Sequence, residues 1–496
     1  MVSLINVKFF VLSMIPIENS IRSERPDIFK ILFLVYFAFW DRFSFYGVFT
    51  ELVLYLTSVA HLSETSTYSL WGIYAILGYA LPVVAGIVSD RWLDQRRGIS
   101  YGLIGLFLSA LTLIIFKDHG FALGLALLLC GSGILKTNLS TFVGNLLSER
   151  KTQKRADGKK DGAYTLYFTG MVSGATMGPA FFGFFVAEKL WYGGFYVILL
   201  GVLSALGLSL FLFKPSFMNL FRRYKRFLLE GSLAILSVAL VALSFVFANH
   251  SQYLLVVFLI VVITYLIVQA MKTPADERLK ITYLIALSFL CIPYLLGALQ
   301  VDGSFNLFIQ NHLNHTLFGW EIPTLEFSAL EPLVGALCSP FLGWLWITLD
   351  QKYGFSIAAN NKVLMGVGFS ILAYLTLLFL SSSQSIAGSD YASLGMMLSN
   401  VFIGLSGILI IPTMMSSINQ FAPPKLKGTL MGFWFLGDAL AGWLAGFVSK
   451  SSNINNEVMA PLSGFHHSFW ITFVLLLISG GVLVAGTTVF KKMIVI

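Results

Sequence analysis

Long apolar stretches separated by short charged segments run the length of the 496-residue chain. A bilayer core takes about 20 apolar residues in a helix. Fourteen stretches reach that length, at 29–57, 68–89, 99–116, 120–147, 162–187, 192–213, 228–248, 252–271, 281–310, 326–350, 361–382, 391–420, 428–449 and 465–490. Proline falls inside several, at Pro82, Pro179, Pro293, Pro332, Pro340 and Pro412. Each removes a backbone hydrogen bond and favours a kink. The pattern predicts an all-α membrane protein.

Hydrophobic residues make up 57% of the chain and charged residues 11%, against about 25% charged in soluble domains. A water-soluble shell cannot be built from so few polar groups, so the solvent for most of the chain is lipid. The net charge of +8 comes from clusters between the apolar stretches. That is a topology signal, and no nucleic-acid partner is expected. With the N-terminus inside and the spans alternating, 27 of the 32 basic residues fall in inner segments, and only Lys117, Lys189 and Lys450 in outer loops. The asymmetry predicts a multi-pass protein of the cell (inner) membrane with cytoplasmic N- and C-termini. Residues 1–16 are apolar but interrupted by Lys8 and lack a small-residue cleavage site, so they read as a tail or interfacial stretch.

Cys130, Cys291 and Cys338 lie singly inside apolar runs, which argues against a disulfide framework. All seven histidines fall in or beside outer loops, so any proton coupling falls to carboxylates. His312 with His315, and His466 with His467, have metal-binding chemistry but read as solvated loop residues. No metal is expected, and no cofactor beyond protons as coupling ion. The chain has no Gly-rich phosphate loop and no G-x-S-x-G elbow, and is not expected to be an enzyme.

Basic segments at 214–227 and 272–280 bracket two helices that carry almost no charge. Six helices remain on either side. Two six-helix bundles plus two extra helices between them follow the major facilitator fold, with a substrate site between the halves near the midplane. The expected organisation is a cytoplasmic tail at 1–27, a first bundle at 28–213, a linker with the two additional helices at 214–280, a second bundle at 281–490 and a tail at 491–496. Gly86, Asp90, Arg91, Arg96 and Arg97 resemble the G-x-x-x-D-R-x-x-x-R-R loop of that superfamily. An acid at the inner mouth can pair with bases and with the dipole of a neighbouring helix. Asp90, Arg91, Arg96 and Arg97 are therefore the candidate gating loop, with a weak echo at Asp350.

A charge at the bilayer centre costs at least roughly 2.5–3.5 kcal/mol, so each is a functional candidate. The candidates for proton coupling and ion pairing are Asp41, Arg42 and Lys136 in the first half and Asp302, Glu331 and Asp438 in the second. Residues 38–47 read Ala-Phe-Trp-Asp-Arg-Phe-Ser-Phe-Tyr-Gly, and residues 131–140 read Gly-Ser-Gly-Ile-Leu-Lys-Thr-Asn-Leu-Ser. These resemble the E-x-x-E-R-F-x-Y-Y-G and G-x-G-x-x-K-P-N-x-S signatures of the proton-dependent oligopeptide transporter family. Gln300 with 304–308, the stretch 316–323, and 432–436 are similar to the same family, as is the extra helix pair. The resemblance runs from about residue 28 to 450.

What it implies is proton-driven import of di- and tripeptides by alternating access, with a small-molecule or peptide substrate and the lipid bilayer as surroundings; a monomer is expected. Asp41, Arg42 and Lys136 take the positions of the family's proton-sensitive cluster. Arg42, Tyr46, Lys136, Asn138, Tyr167, Gln300, Asn306 and Trp434 are the substrate-binding candidates it implies. Several family positions differ: Ala38 and Asp41 stand for the two signature glutamates, Phe45 for a tyrosine, Val172 for an asparagine that holds peptide backbone, Leu299 for an acid, and Gly407 for the glutamate that takes the peptide amino group. Asp302, Glu331 and Asp438 are acids in places the family usually lacks them, and could replace what is missing. A carrier of another solute, an amino acid or organic anion uncoupled from protons, is the second expectation.

Overall fold

The computed structural model describes residues 21–59, 61, 64–148, 157–188, 190–213, 235–243, 245, 251–314, 316–317, 319–322, 324–353, 357–389, 391–451 and 461–494. Its helices are α1 (Ile21–Ser58), α2 (Glu64–Arg91), α3 (Gln95–Phe116), α4 (Phe121–Ser148), α5 (Asp157–Ala187), α6 (Gly193–Leu212), α7 (Ser251–Met271), α8 (Ala275–Leu299), α9 (Asn306–His312), α10 (Thr324–Tyr353), α11 (Ala359–Leu380), α12 (Ala392–Phe421), α13 (Lys427–Lys450) and α14 (Leu462–Ile494). A two-stranded ribbon pairs Thr316–Leu317 with Trp320–Glu321 ahead of α10.

Thirteen of the predicted stretches coincide with these helices. The stretch 228–248 lies mostly outside the described residues, with helix at 235–243. Residues 1–20 of the expected tail are also outside them. The helices overrun both expected tails: α1 begins at Ile21 rather than 28, and α14 runs through 491 to Ile494. A helix need not stop where the lipid does.

The stretch 281–310 is interrupted. α8 ends at Leu299, a π turn spans Val301–Phe305, and α9 follows. Phe305 N–H donates to Gln300 C=O, five residues back, at 3.1 Å. Gly303 weakens the local preference for helix, and the Gln300 side chain is held from outside: its Nε2 donates to Thr472 at 3.0 Å and its Oε1 accepts from Tyr374 at 3.1 Å.

α5 carries Thr165, Thr169, Ser173 and Thr176 in its interior. It is correspondingly less apolar, because it packs against α1 on one side and α10 and α12 of the other half on the other. Gly170, Gly174 and Gly178, one turn apart, lie on the carbonyls of Val35, Phe39 and Phe43, where any Cβ would collide. Small residues let membrane helices approach this closely. The stripe fixes the rotation of α1, and with it the direction of Asp41 and Arg42.

The halves meet along α5–α10 and α2–α13. Midway, Thr169 and Ser339 share a hydrogen bond of 2.6 Å. The other described polar contacts between halves gather at the end where α2 stops and α13 starts, the basic end. There Asn419 Nδ2 donates to Thr141 C=O at 3.0 Å and Lys427 Nζ to Asn145 Oδ1 at 3.1 Å. Gly86 lies directly on the backbone of Gly428. The basic end is closed.

Candidate functional site

Asp41 and Arg42 are buried in the middle of α1, with relative exposures of 2% and 4%. Being sequence neighbours they splay apart, and Arg42 Nε reaches Asp41 Oδ2 only at 3.9 Å. Asp41 Oδ1 is buried without a hydrogen-bond partner among the described residues. Ser132 of α4 lies beside that carboxylate. Tyr46, Tyr79 and Tyr167 surround Arg42, and Tyr46 and Tyr79 share a hydrogen bond of 3.1 Å.

Lys136 is fully buried on α4. Its Nζ donates to Gly78 C=O at 3.4 Å and lies 4.9 Å from the Phe45 ring centre, 5.3 Å from Tyr79 and 5.5 Å from Phe435. Phe435 also carries the Arg42 guanidinium, at 5.6 Å. One ring from α13 thus covers both first-half cations by cation–π contact. Asp438, one turn past the buried Trp434 on the same helix, is half-buried and within electrostatic reach of Arg42 and Lys136. Of the six predicted membrane-depth charges, the structure brings four together: Asp41, Arg42, Lys136 and Asp438.

The second-half wall is built around Tyr294 of α8. A Cβ at Gly407 would stand 2.8 Å from the Tyr294 hydroxyl, so that hydroxyl occupies the space a side chain at 407 would need. One turn away, Gly404 lies against the carbonyl of Glu331. Gly437, next to Asp438, lies against Leu295. Tyr294, Glu331 and Asp438 are therefore electrostatic neighbours, drawn from three helices, with α12 contributing the room. Glu331 itself is half-buried.

The remaining predicted site residues are placed differently. Tyr167 is buried near Arg42 and Asp41. Gln300 is buried and bound within the second half, as described above. Asn306 is half-buried at the start of α9. The Asp302 side chain lies outside the described residues. Asn138 is away from the cluster: buried under Gly98, it donates to Ser89 at 2.9 Å and to Ile134 C=O at 2.8 Å, tying α4 to α2. Val172 packs against Gly335 of α10.

At the basic end Asp90 reaches across the halves. Its Oδ1 accepts from Gly428 N–H at 2.8 Å, and its Oδ2 from Thr429 N–H at 2.7 Å and Thr429 Oγ1 at 2.8 Å. A carboxylate of one half thus caps the N-terminus of α13 in the other, where free N–H groups and the helix dipole favour an anion. Arg91 Nη2 donates to Tyr265 of α7 at 3.0 Å. Arg96 lies 5.9 Å from the Phe142 ring centre, and Arg97 is half-buried at the start of α3.

Four buried residues escape the sequence reading: Tyr79, Tyr294, Phe435 and Glu51. Glu51 is 6% exposed near the far end of α1, with Oε1 unpartnered among the described residues. As a lone acid in an apolar run it carried the same signal as Asp41. At the far end of the first half, in the turn between α3 and α4, Asp118 accepts from Tyr55 and, at 2.6 Å, from Tyr192. These donors hold its carboxyl below the ordinary value. His466 Nδ1 shares a 3.0 Å hydrogen bond with Ser381. Among the described residues no cluster of three or more His, Cys, Asp or Glu has metal-site spacing.

The sequence model of the POT family matches residues 99–460. Peptide transporter YePEPT of Yersinia enterocolitica subsp. palearctica serotype O:3 (strain YE-P4) is 25% identical over 464 residues, covering 85% of this chain and 87% of that protein. Dipeptide and tripeptide permease B of Salmonella typhimurium (strain LT2) is 25% identical over 454 residues, covering 88% of this chain and 89% of the permease. A crystal structure of a POT family transporter in complex with 5-aminolevulinic acid superposes with a TM-score of 0.65 at 20% identity, over 90% of this chain and 95% of that one.

Proposed function

The chain belongs to the POT family of transporters and is not an enzyme, and from that premise we propose that it imports di- and tripeptides or peptide-like solutes by proton-coupled alternating access. The observation that carries this is the buried charge cluster split between the halves. Arg42, Lys136 and Asp41 come from the first half, with Asp438 facing them from the second. Glu331 and Tyr294 extend the second wall. Two cations on one wall and acids on the other suit a zwitterion. Its carboxylate docks on Arg42 and Lys136 beside Tyr46 and Tyr167, and its ammonium on Asp438 and Glu331 near Trp434. Gln300, just past the end of α8, and Asn306 of α9 support the wall.

Protonating Asp41 or Asp438 removes an anion from the cluster, and a docked carboxylate supplies one. Each changes the attraction between the halves, and a ligand shifts an equilibrium only through such differential interaction. Asp90, in the motif that also carries Arg91, Arg96 and Arg97, is the latch that keeps the basic end shut until that change occurs. Protons are the coupling ion, and no cofactor is required. The charge asymmetry supports a cell (inner) membrane location with both termini cytoplasmic. We take a single chain as the transporting unit.

A second reading has its own support. Tyr294 fills the space beside Gly407, and Val172 packs on Gly335, so two family contacts to peptide are absent. A single amino acid or an organic anion, carried without protons, would not need them. Competition against labelled dialanine uptake separates the readings. Unlabelled dialanine should compete at least tenfold better than alanine, succinate or N-acetyl-dialanine. Equal competition by alanine or succinate would favour the second reading.

A further inference from the structure

Pro82 sits in the interior of α2. It has no N–H to offer the carbonyl four residues back, which is that of Gly78. That carbonyl accepts instead from Lys136 Nζ, at 3.4 Å. The next residue of α4, Thr137, donates its hydroxyl to the carbonyl of Pro82 itself, at 2.9 Å. Two consecutive α4 side chains are therefore held by the α2 backbone around one proline.

The packing keeps this backbone within reach. A Cβ at Gly133, one turn earlier on α4, would stand 3.0 Å from Leu81, and Gly432 of α13 abuts the backbone of Pro82 and Val83 on the other flank. In an uninterrupted helix the N–H of residue 82 would occupy the Gly78 carbonyl. Lys136 would then have to share that carbonyl with the N–H, and its other neighbours among the described residues are the rings of Phe45, Tyr79 and Phe435 and the charges of Arg42, Asp41 and Asp438.

We propose that Pro82 is a positioning residue for Lys136: by freeing the Gly78 carbonyl it gives the ammonium a neutral backbone partner on α2 while the basic end is closed. At 3.4 Å the bond is at the long end of the range, as suits a partner that is given up when the lysine turns to Asp41, Asp438 or a substrate carboxylate. The proposal rests on the reading of Lys136 as a coupling and substrate group. It concerns the proline, which that reading leaves without a role.

The test is a double-mutant cycle of Pro82→Ala and Lys136→Met, read by thermal unfolding of the purified protein without substrate. Pro82→Ala returns the N–H to the Gly78 carbonyl and suits a helix. Lys136→Met should then cost less in that background than in the wild type, a non-additivity of the kind contacting residues show. In liposomes, Pro82→Ala should also move the midpoint of the uptake–pH profile by roughly half to one pH unit, the worth of one hydrogen bond. Pro179→Ala in α5 should leave the profile in place. Strict additivity, or an unmoved Pro82→Ala profile in a protein that transports, would overturn the proposal. If the wild type moves no peptide at all, the functional reading fails, and the stability cycle still decides whether the contact exists.

Discussion

Tyr294 and Gly407 share one side chain's worth of space, and that exchange defines the second-half wall of the site. A methyl group at 407 would stand 2.8 Å from the Tyr294 hydroxyl. Gly407→Ala should therefore destabilise the protein by about 1–3 kcal/mol, the usual range for overpacking. Adding Tyr294→Phe should recover much of the loss, and thermal unfolding of the two variants checks it. Asp118 gives a pH-dependent counterpart. Its hydrogen bonds from Tyr55 and Tyr192 lower its folded value. They therefore stabilise above the unfolded carboxylate value of about 3.9, and that contribution is lost as pH falls through the folded value. Melting curves of Asp118→Asn should fall below those of the wild type at neutral pH and converge with them as the pH falls below the ordinary carboxylate range. At this scale the ionisable part of the site was legible. Asp41, Arg42, Lys136 and Asp438 stand out because a charge in an apolar run is costly. Tyr79, Tyr294 and Phe435 did not stand out, because the chain has 45 Phe, 19 Tyr and 10 Trp and nothing in one sequence says which face a cation. Glu51, a lone acid in the same apolar run, is legible by the rule that picks out Asp41.

Helices bring distant signals together, and the α2–α13 seam is the clearest case. The loop motif around Asp90 predicted a latch on a neighbouring helix. What the sequence could not say is which helix, because the partner groups are backbone N–H groups of Gly428 and Thr429, and any helix start supplies those. Asp90→Asn keeps the shape but loses the charge and one acceptor. Losing a helix cap costs about 0.5–2 kcal/mol, which corresponds to a shift of roughly 2–30-fold in the balance between closed and open basic ends. The check is the alkylation rate of a Thr141→Cys probe with Cys130, Cys291 and Cys338 replaced. The rate should rise several-fold in Asp90→Asn, and an unchanged rate would remove the latch from the account. The break after α8 was illegible for a related reason. The apolar pattern runs on through 281–310, whereas the interruption depends on Gln300 being held by Thr472 and Tyr374, contacts that link residues far apart in sequence.

Across the whole molecule, the span count and the charge asymmetry made the all-helical, two-bundle plan legible, because lipid permits few alternatives. The seam between the bundles was not, since it is written in small residues that recur throughout membrane helices, such as the Gly170–Gly174–Gly178 stripe. The arrangement that results has a closed basic end, a charge cluster divided between the halves, and second-half acids at Asp438 and Glu331. The central claim is that this cluster couples protons to peptide movement. The most direct measurement is uptake of labelled dialanine into liposomes, with an inward proton gradient, with the gradient collapsed by an ionophore, and with Lys136→Ala. The account predicts accumulation that depends on the gradient and falls at least tenfold in the variant. Uptake that ignores the gradient, or that Lys136→Ala leaves intact, would contradict it.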